Sequence, residues 1–293
     1  MNFRTDLALE RRQNIKENID GITVQTKNIK DSTITNIKVE NEDAAKRLFK
    51  PIGEYITVEV PALTDNFFYN DEKIRMIASE IKRLIPKEGL VLIVGIGNTK
   101  ITPDALGPKA AEYILATRHI SNELKRSTGL EGLRSAAVLA PGVLGQTGIE
   151  TTEVIESLSK KLKPSCVILI DALASMEPKR LGCTIQISNT GISPGSGVGN
   201  ARPLIDETSL GAPVISIGVP TVVDASTLAK SLLNDSDLED KAEEQVSPRG
   251  EPMMVTPREI DLLIERASKL LGMSINCALH PDFSTEDLFS LVM

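Results

Sequence analysis

Two aspartates follow apolar runs of the chain, and a pair of carboxyl groups can carry out acid–base chemistry. Asp171 comes directly after the run 166–170 (CVILI), and Asp104 lies in the turn after the run 90–96 (LVLIVGI). Continuous β-branched runs of this kind are typical of parallel strands buried on both faces. Ligands bind outside the carboxyl ends of such strands, so we expect both side chains at the same edge of one sheet.

Two carboxyl groups a few ångströms apart share a proton, because both cannot ionise at low cost. One could deprotonate a water molecule while the other protonates a leaving amine, which is peptide hydrolysis without histidine or metal. The chain has two histidines and three cysteines with no C-x-x-C motif, which favours this chemistry over a zinc site. The same carboxylates could instead hold a divalent cation completed by water, or they could serve only as a helix cap or a loop anchor.

A second candidate is the segment 191–195 (GISPG), which matches the G-x-S-x-G nucleophile elbow. Ser193 would then be the nucleophile of a serine hydrolase, with His280 as the base and Asp224 as the orienting group. An elbow must continue into a helix, whereas Pro194 and the glycines after it predict a loop. This segment is more simply explained by backbone amides that approach an extended ligand or a neighbouring loop.

Two further glycine patterns bear on binding. The run 95–98 (GIGN) lacks the third glycine of a dinucleotide fingerprint, since position 100 is Lys100, and a dinucleotide site is disfavoured. Gly142, Gly145 and Gly148 precede a predicted helix. Their backbone N–H groups could stabilise an oxyanion or hold a substrate carbonyl, although a flexible turn explains them equally well.

The elements that must position these residues alternate between strands and helices. This alternation predicts an α/β fold with a largely parallel central sheet flanked by helices, and an additional small β-rich region at 21–62. The charged residues at the start of the chain predict an exposed arm or a first helix. Strands are predicted at 21–40, 53–60, 90–96, 136–140, 166–170, 183–188 and 213–219, and helices at 71–85, 107–117, 150–163 and 257–271.

Composition excludes several classes of protein. The chain of 293 residues has 41% hydrophobic and 25% charged residues and a net charge of −7, so it lacks the basic footprint of a general nucleic-acid-binding protein. No apolar run reaches the length of a membrane helix, and the start of the chain has no secretory apolar region, so a cytoplasmic protein is expected. The segment 234–246, with six acidic residues and one lysine, predicts a solvated surface insertion.

Five segments, taken together and in order, closely resemble the germination protease family of spore-forming bacteria. They are 4–10 (RTDLALE), 95–108 (GIGNTKITPDALGP), 139–151 (LAPGVLGQTGIET), 169–175 (LIDALAS) and 192–202 (ISPGSGVGNAR). The resemblance implies an endopeptidase that initiates degradation of small acid-soluble spore proteins during germination. It also implies a core similar to that of hydrogenase maturation proteases, a homotetramer, and a location in the spore core or forespore.

The resemblance assigns roles to particular residues. It implies an atypical aspartic-type peptidase with Asp104 and Asp171 as the catalytic pair, and no metal or cofactor. It implies a zymogen that cuts itself between Asp6 and Leu7, so that 1–6 is a propeptide and 7–293 a single peptidase domain. The acidic residue before the cut should require a basic pocket. A metal-dependent maturation-type protease or metal-binding chaperone that uses the same carboxylates stays open as the alternative.

Overall fold

A mixed β-sheet forms the centre of the molecule. The computed structural model describes residues 4–15, 17–64, 71–199, 202–232, 246 and 253–292. Within these residues nine strands form one sheet, in the order β1-β2-β3-β7-β8-β6-β4-β5, with β9 paired to β8. The strands are β1 (Ile22–Ile29), β2 (Ser32–Val39), β3 (Gly53–Glu59), β4 (Val91–Gly95), β5 (Ala136–Leu139), β6 (Cys166–Ser175), β7 (Thr184–Ser188), β8 (Val214–Asp224) and β9 (Met254–Val255).

The sheet has a parallel part and an antiparallel part. Strands β8, β6, β4 and β5 pair in parallel, and the remaining pairs are antiparallel. The predicted α/β class is confirmed. The β-rich region predicted at 21–62 supplies β1 to β3, which continue the same sheet through the antiparallel pair of β3 and β7.

Helices cover both faces of the parallel strands. Alternate residues of the strands enter opposite cores: Ile93 and Ile168 pack into one cluster, while Leu92 and Val167 pack into another. This two-sided burial is what the continuous apolar runs predicted. The helices are α1 (Ala8–Gln13), α2 (Glu42–Leu48), α3 (Asp71–Leu84), α4 (Leu106–Glu112), α5 (Asn122–Thr128), α6 (Leu144–Thr147), α7 (Thr151–Leu162), α8 (Glu207–Leu210), α9 (Ala225–Leu232), α10 (Ile260–Leu279) and α11 (Thr285–Val292).

Two strands are longer than their sequence patterns indicated. β6 continues past Asp171 to Ser175, and β8 continues to Asp224. Beyond the end of β4, the strands β6 and β8 pair with each other, with a register shift between Leu173 and Ala174. This extension borders the cleft described below.

Two sequence predictions concern other parts of the chain. The acidic segment 234–246 lies outside the described residues apart from Val246. Among the helices of the described residues, none combines the length and the apolar character needed to cross a membrane.

Candidate active site

Asp171 lies inside β6, one residue beyond the point where β4 ends. Gly95, the last residue of β4, pairs with Ile170, and Asp171 pairs with Gly218 of β8. The aspartate is 5% exposed, and its Oδ1 accepts a hydrogen bond of 2.9 Å from the backbone N–H of Ala172. Asp171 is therefore neither a helix cap nor a loop anchor, because it sits within a strand at the carboxyl edge of the parallel sheet.

Asp104 reaches the same edge through close backbone packing. After β4 the chain turns at Gly97, whose φ of +133° favours glycine, and then forms the short 3-10 turn Thr102–Asp104. A β-carbon on Gly107, in α4, would overlap the backbone oxygens of Ile96 and Ile170. Helix α4 can therefore lie directly on the ends of β4 and β6 only because residue 107 is glycine.

The side chain of Asp104 does not cap α4. The residue before this helix is Ala105, with no side-chain cap, and Asp104 Oδ2 instead accepts a hydrogen bond of 2.9 Å from the N–H of Asn98. The Asn98 side chain in turn accepts from Lys100 N–H at 2.9 Å and from Gln146 Nε2. The turn after β4 thus holds the carboxylate in place from one side.

The two carboxyl groups are electrostatically coupled. Burial raises the pKa of Asp104 from 3.8 to about 6. Burial also raises the pKa of Asp171 well above its usual value, and the charges of Asp104 and then Asp6 raise it further. Both pKa values are raised, so the pair holds one proton over an interval of pH, with one carboxyl ionised while the other stays protonated.

Both aspartates line a cleft of about 1270 Å³ at this edge. The loop 191–199, the turn after β4 and the start of α7 form part of its wall. Of the three predicted oxyanion glycines, Gly145 lines the cleft, whereas Gly142 and Gly148 do not. The N–H of Gly148 donates to the carbonyl of Leu144 at 2.8 Å, inside the turn of α6.

The residues of a serine hydrolase are not brought together. Ser193 lines the cleft, and its Oγ donates to the carbonyl of Arg202 at 2.6 Å. His280 is buried at the end of α10, where Nδ1 accepts from Arg134 N–H at 3.2 Å, and it is not among the residues that line the cleft. Asp224 accepts from the N–H and the hydroxyl of Thr227. Ser193 thus lacks the base and the orienting group that an elbow requires.

Few side chains are available here as ligands for a metal cation. Within the described ranges of the chain, no group of three or more His, Cys, Asp or Glu side chains could hold a metal ion. Asp104 and Asp171 would be the protein's two ligands, and water would have to fill the remaining positions. These two residues alone do not make a complete site for a resident metal.

Of the two alternatives predicted for the start of the chain, the first helix is confirmed by α1 and the exposed arm is wrong. Leu7, Ala8, Leu9 and Glu10 are buried, and Leu9 packs in a core cluster with α2, β2 and Tyr55 of β3. The cleft is lined in part by Arg4, Thr5 and Asp6. The charged composition suggested a solvated arm, but Arg4, Asp6 and Glu10 meet partners more than 100 residues away in sequence, and those partners leave no local signal.

Asp6 is held by contacts to its side chain and to its backbone. Its Oδ2 accepts from Ala174 N–H and its Oδ1 from Ser196 Oγ, both at 2.9 Å. Its backbone N–H donates to the carbonyl of Ala174 at 2.9 Å, and Gly197 of the loop 191–199 packs against its carboxylate. The expected approach of this glycine-rich loop to a neighbouring segment is therefore confirmed, and that segment is the N-terminal one.

Glu10 anchors the other end of the same segment. It is fully buried, and its carboxylate accepts from the backbone N–H groups of Met176 at 2.8 Å and Glu177 at 2.9 Å, and from the hydroxyl of Thr5. Arg180 lies 3.3 Å from Glu10 Oε1 and also pairs with Glu59 at 2.8 Å. Burial raises the pKa of Glu10, against the opposing effect of these hydrogen bonds and of Arg180.

Fold and site together define an α/β protein with a paired-carboxylate site in a peptide-sized cleft. A sequence profile of the family described as germination protease matches residues 4–235. The chain belongs to the germination protease family, and its activity class is that of a protease. The resemblance seen in the five sequence segments is confirmed.

Individual relatives agree over nearly the whole chain. A germination protease of Clostridium perfringens (strain 13 / Type A) is 42% identical, covering 98% of this chain and 98% of the relative. That of Caldanaerobacter subterraneus subsp. tengcongensis is 41% identical, covering 100% and 98%, and that of Bacillus velezensis is 37% identical, covering 97% and 95%. Among solved structures, a nickel–iron hydrogenase maturation protease HycI from Thermococcus kodakarensis KOD1 matches with a TM-score of 0.38 and 16% identity, covering 67% of this chain and 98% of that one.

Proposed function

We propose that this protein is an endopeptidase that cuts small acid-soluble spore proteins during germination, by two-carboxylate catalysis of water attack. The observation that carries the proposal is the coupled pair of Asp104 and Asp171 in the cleft that also contains Asp6. Membership of the germination protease family supports the spore substrates. It also supports two further proposals, that the protein acts in the spore core and that it assembles as a homotetramer.

The environments of the two carboxyl groups support different roles for them. Asp104 is only half-buried and its pKa is raised to about 6, so it would be the general base that removes a proton from water. Asp171 is more deeply buried and burial favours its protonated form, so it would be the general acid that protonates the leaving nitrogen.

The docked N-terminal segment supports self-processing between Asp6 and Leu7. The acidic residue, the apolar residue after it and the later glutamate each occupy a defined environment in or beside the cleft. The acidic side chain at the cut would be recognised by Ala174 N–H and Ser196 Oγ, with the charges of Lys50 and Arg11 nearby.

The processing and substrate proposals are tested by mass spectrometry of the full chain. On incubation at mildly acidic pH we expect loss of the residues up to Asp6, and we expect added small acid-soluble spore protein to be cut on the carboxyl side of acidic residues. Both reactions should be insensitive to a chelator, and Ser193→Ala should process like the wild type. Inhibition by the chelator would point to the metal-dependent alternative, and an intact spore protein would refute the substrate.

The pH dependence of activity should follow the two pKa values. Asp104 is protonated below about pH 6 and cannot then accept a proton, so kcat/KM should rise as the pH increases through about 6. One pH unit below its pKa, a base of this kind is only about one-tenth ionised. At higher pH the rate should fall again as Asp171 loses its proton and as Lys50, which contacts the carbonyl of Asp6, loses its own above about pH 8. A profile measured from pH 4.5 to 9 that is flat below pH 7 would contradict this assignment.

A further inference from the structure

The backbone carbonyl of Asp6 is held by two side chains from distant parts of the chain. Lys50 Nζ donates to this oxygen at 2.7 Å, and Gln186 Nε2 donates to it at 3.0 Å. Gln186 Oε1 accepts from the backbone N–H of Ala8 at 2.7 Å. The amide of Gln186 therefore spans Leu7 and is bonded at both ends, which fixes its orientation toward the carbonyl.

Lys50 places a positive charge at this oxygen. It follows α2, and its Nζ lies 6.0 Å from the centre of the Tyr55 ring. Among the described residues, no carboxylate forms a salt bridge with it. Burial lowers the pKa of Lys50 from 10.5 to about 8, and the charge of Asp6 opposes that shift, so the ammonium is charged at pH 7. A cation in a poorly solvated place strongly favours negative charge on the oxygen it contacts.

We propose that Lys50 and Gln186 form the oxyanion-binding site of this enzyme. The inference rests on the proposed function, because it identifies the carbonyl of Asp6 as the scissile one. Both donors already contact the oxygen that would become negative, and they lie within hydrogen-bonding distance before any reaction. Preorganised donors of this kind stabilise the charge that develops in the transition state.

The proposed reaction has two steps, addition of water to the carbonyl and loss of the amine. Water adds to the carbonyl carbon of Asp6 while Asp104 takes one of its protons, and the carbonyl electron pair moves to the oxygen between Lys50 and Gln186. The bond to the Leu7 nitrogen then breaks, and that nitrogen takes the proton of Asp171 as the carbonyl re-forms. The products are a carboxyl group on Asp6 and an amine on Leu7. Transfer of a proton from Asp104 to Asp171 restores the starting state.

The test follows the first-order loss of the residues up to Asp6 in full-length Lys50→Met, by intact mass. We expect processing about 100- to 1000-fold slower than in the wild type, the usual effect of losing one oxyanion donor. Lys50→Arg keeps the charge and should recover part of the rate. Lys46→Met, an exposed lysine of the preceding helix α2, is the matched control and should process at the wild-type rate.

A second readout separates catalysis from docking. With small acid-soluble spore protein as substrate, Lys50→Met should lower kcat and change KM little, whereas a residue that only docks the segment would raise KM. If the urea unfolding curve shows that Lys50→Met does not fold, the processing rate and the values of kcat and KM are measured on Gln186→Met instead. Here we expect a loss of at least about tenfold in kcat.

The outcomes distinguish the inference from the proposed function. Processing of the Lys50 and Gln186 variants within threefold of the wild type, while Asp104→Asn is inactive, would overturn the oxyanion site and leave the proposed function intact. A wild-type chain that cuts spore protein but never cuts between Asp6 and Leu7 would overturn the processing site and the inference together.

Discussion

Replacement of Asp104 or Asp171 by asparagine is expected to slow the proposed self-processing and the proposed cleavage of spore protein by about 10²- to 10⁴-fold. General acid–base catalysis contributes about 10²–10⁴ to a rate, and each variant removes one of the two groups between which protons move. Asparagine is similar in shape to aspartate, so the cleft should keep its form. The measurement is kcat on spore protein, together with intact mass over time.

Controls separate this effect from a general loss of charge or fold. Asp20→Asn changes an exposed aspartate outside the cleft and should leave kcat unchanged. Asp171→Asn should also raise the midpoint of urea unfolding at pH 7. Folding raises the pKa of Asp171. An ionised Asp171 therefore destabilises the folded state once the pH exceeds the pKa of this group in the unfolded chain, whereas asparagine never ionises. Activity of either active-site variant within tenfold of the wild type would remove that aspartate from the mechanism.

Replacement of Arg180 by methionine is expected to lower the free energy of unfolding by about 3–5 kcal/mol, the usual cost of removing one partner of a buried ion pair. Arg180 is 3% exposed and pairs with Glu10, which is fully buried. Without the guanidinium, Glu10 loses its ion-pair partner and keeps its hydrogen bonds and the charge of Arg11. The measurement is urea unfolding followed by circular dichroism.

The pH dependence of the Arg180→Met defect gives a second check. Glu10 already has a raised pKa, so a folded state without Arg180 favours its protonated form still more. The destabilisation should therefore be larger at pH 8 than at pH 5. Glu10→Gln in the same chain should recover only part of it, because the amide nitrogen of glutamine cannot accept from the backbone N–H groups that both carboxylate oxygens contact. Lys179→Met, a largely exposed neighbour that pairs with Glu177, should cost less than about 1 kcal/mol. An equally small effect of Arg180→Met would mean that backbone donors alone hold Glu10.

Local sequence patterns were sufficient to place Asp104 and Asp171 at one edge of the sheet. The apolar runs of β4 and β6 predicted two-sided burial, and with it the sheet edge at which Asp104 and Asp171 lie. Gly97 lies in the turn that the sequence predicts after the run 90–96. Gly95 has a second role, since its α-carbon lies against the backbone of Gly107 in α4. The local sequence does not encode how that helix packs.

Contacts between distant segments could not be predicted. The partners of the N-terminal segment come from the end of α2, from β7 and from the turn after β6. Gln186 belongs to a strand and Lys50 follows a helix, and neither stands in a motif of catalytic residues. The pairing of β3 with β7 joins residues 55–59 to 184–188, and no local pattern specifies a partner so far away in sequence.

The docked N-terminal segment has a consequence for how the uncut chain responds to its surroundings. A peptide tethered to the cleft competes with free substrate at an effective concentration on the order of millimolar for a short connection, whatever the protein concentration. Here Asp6 is bound in the cleft and Glu10 is bound four positions later on the same continuous stretch, so the tether is short. Dilution of the uncut chain would therefore leave its cleft filled, and only a substrate in large excess could enter it.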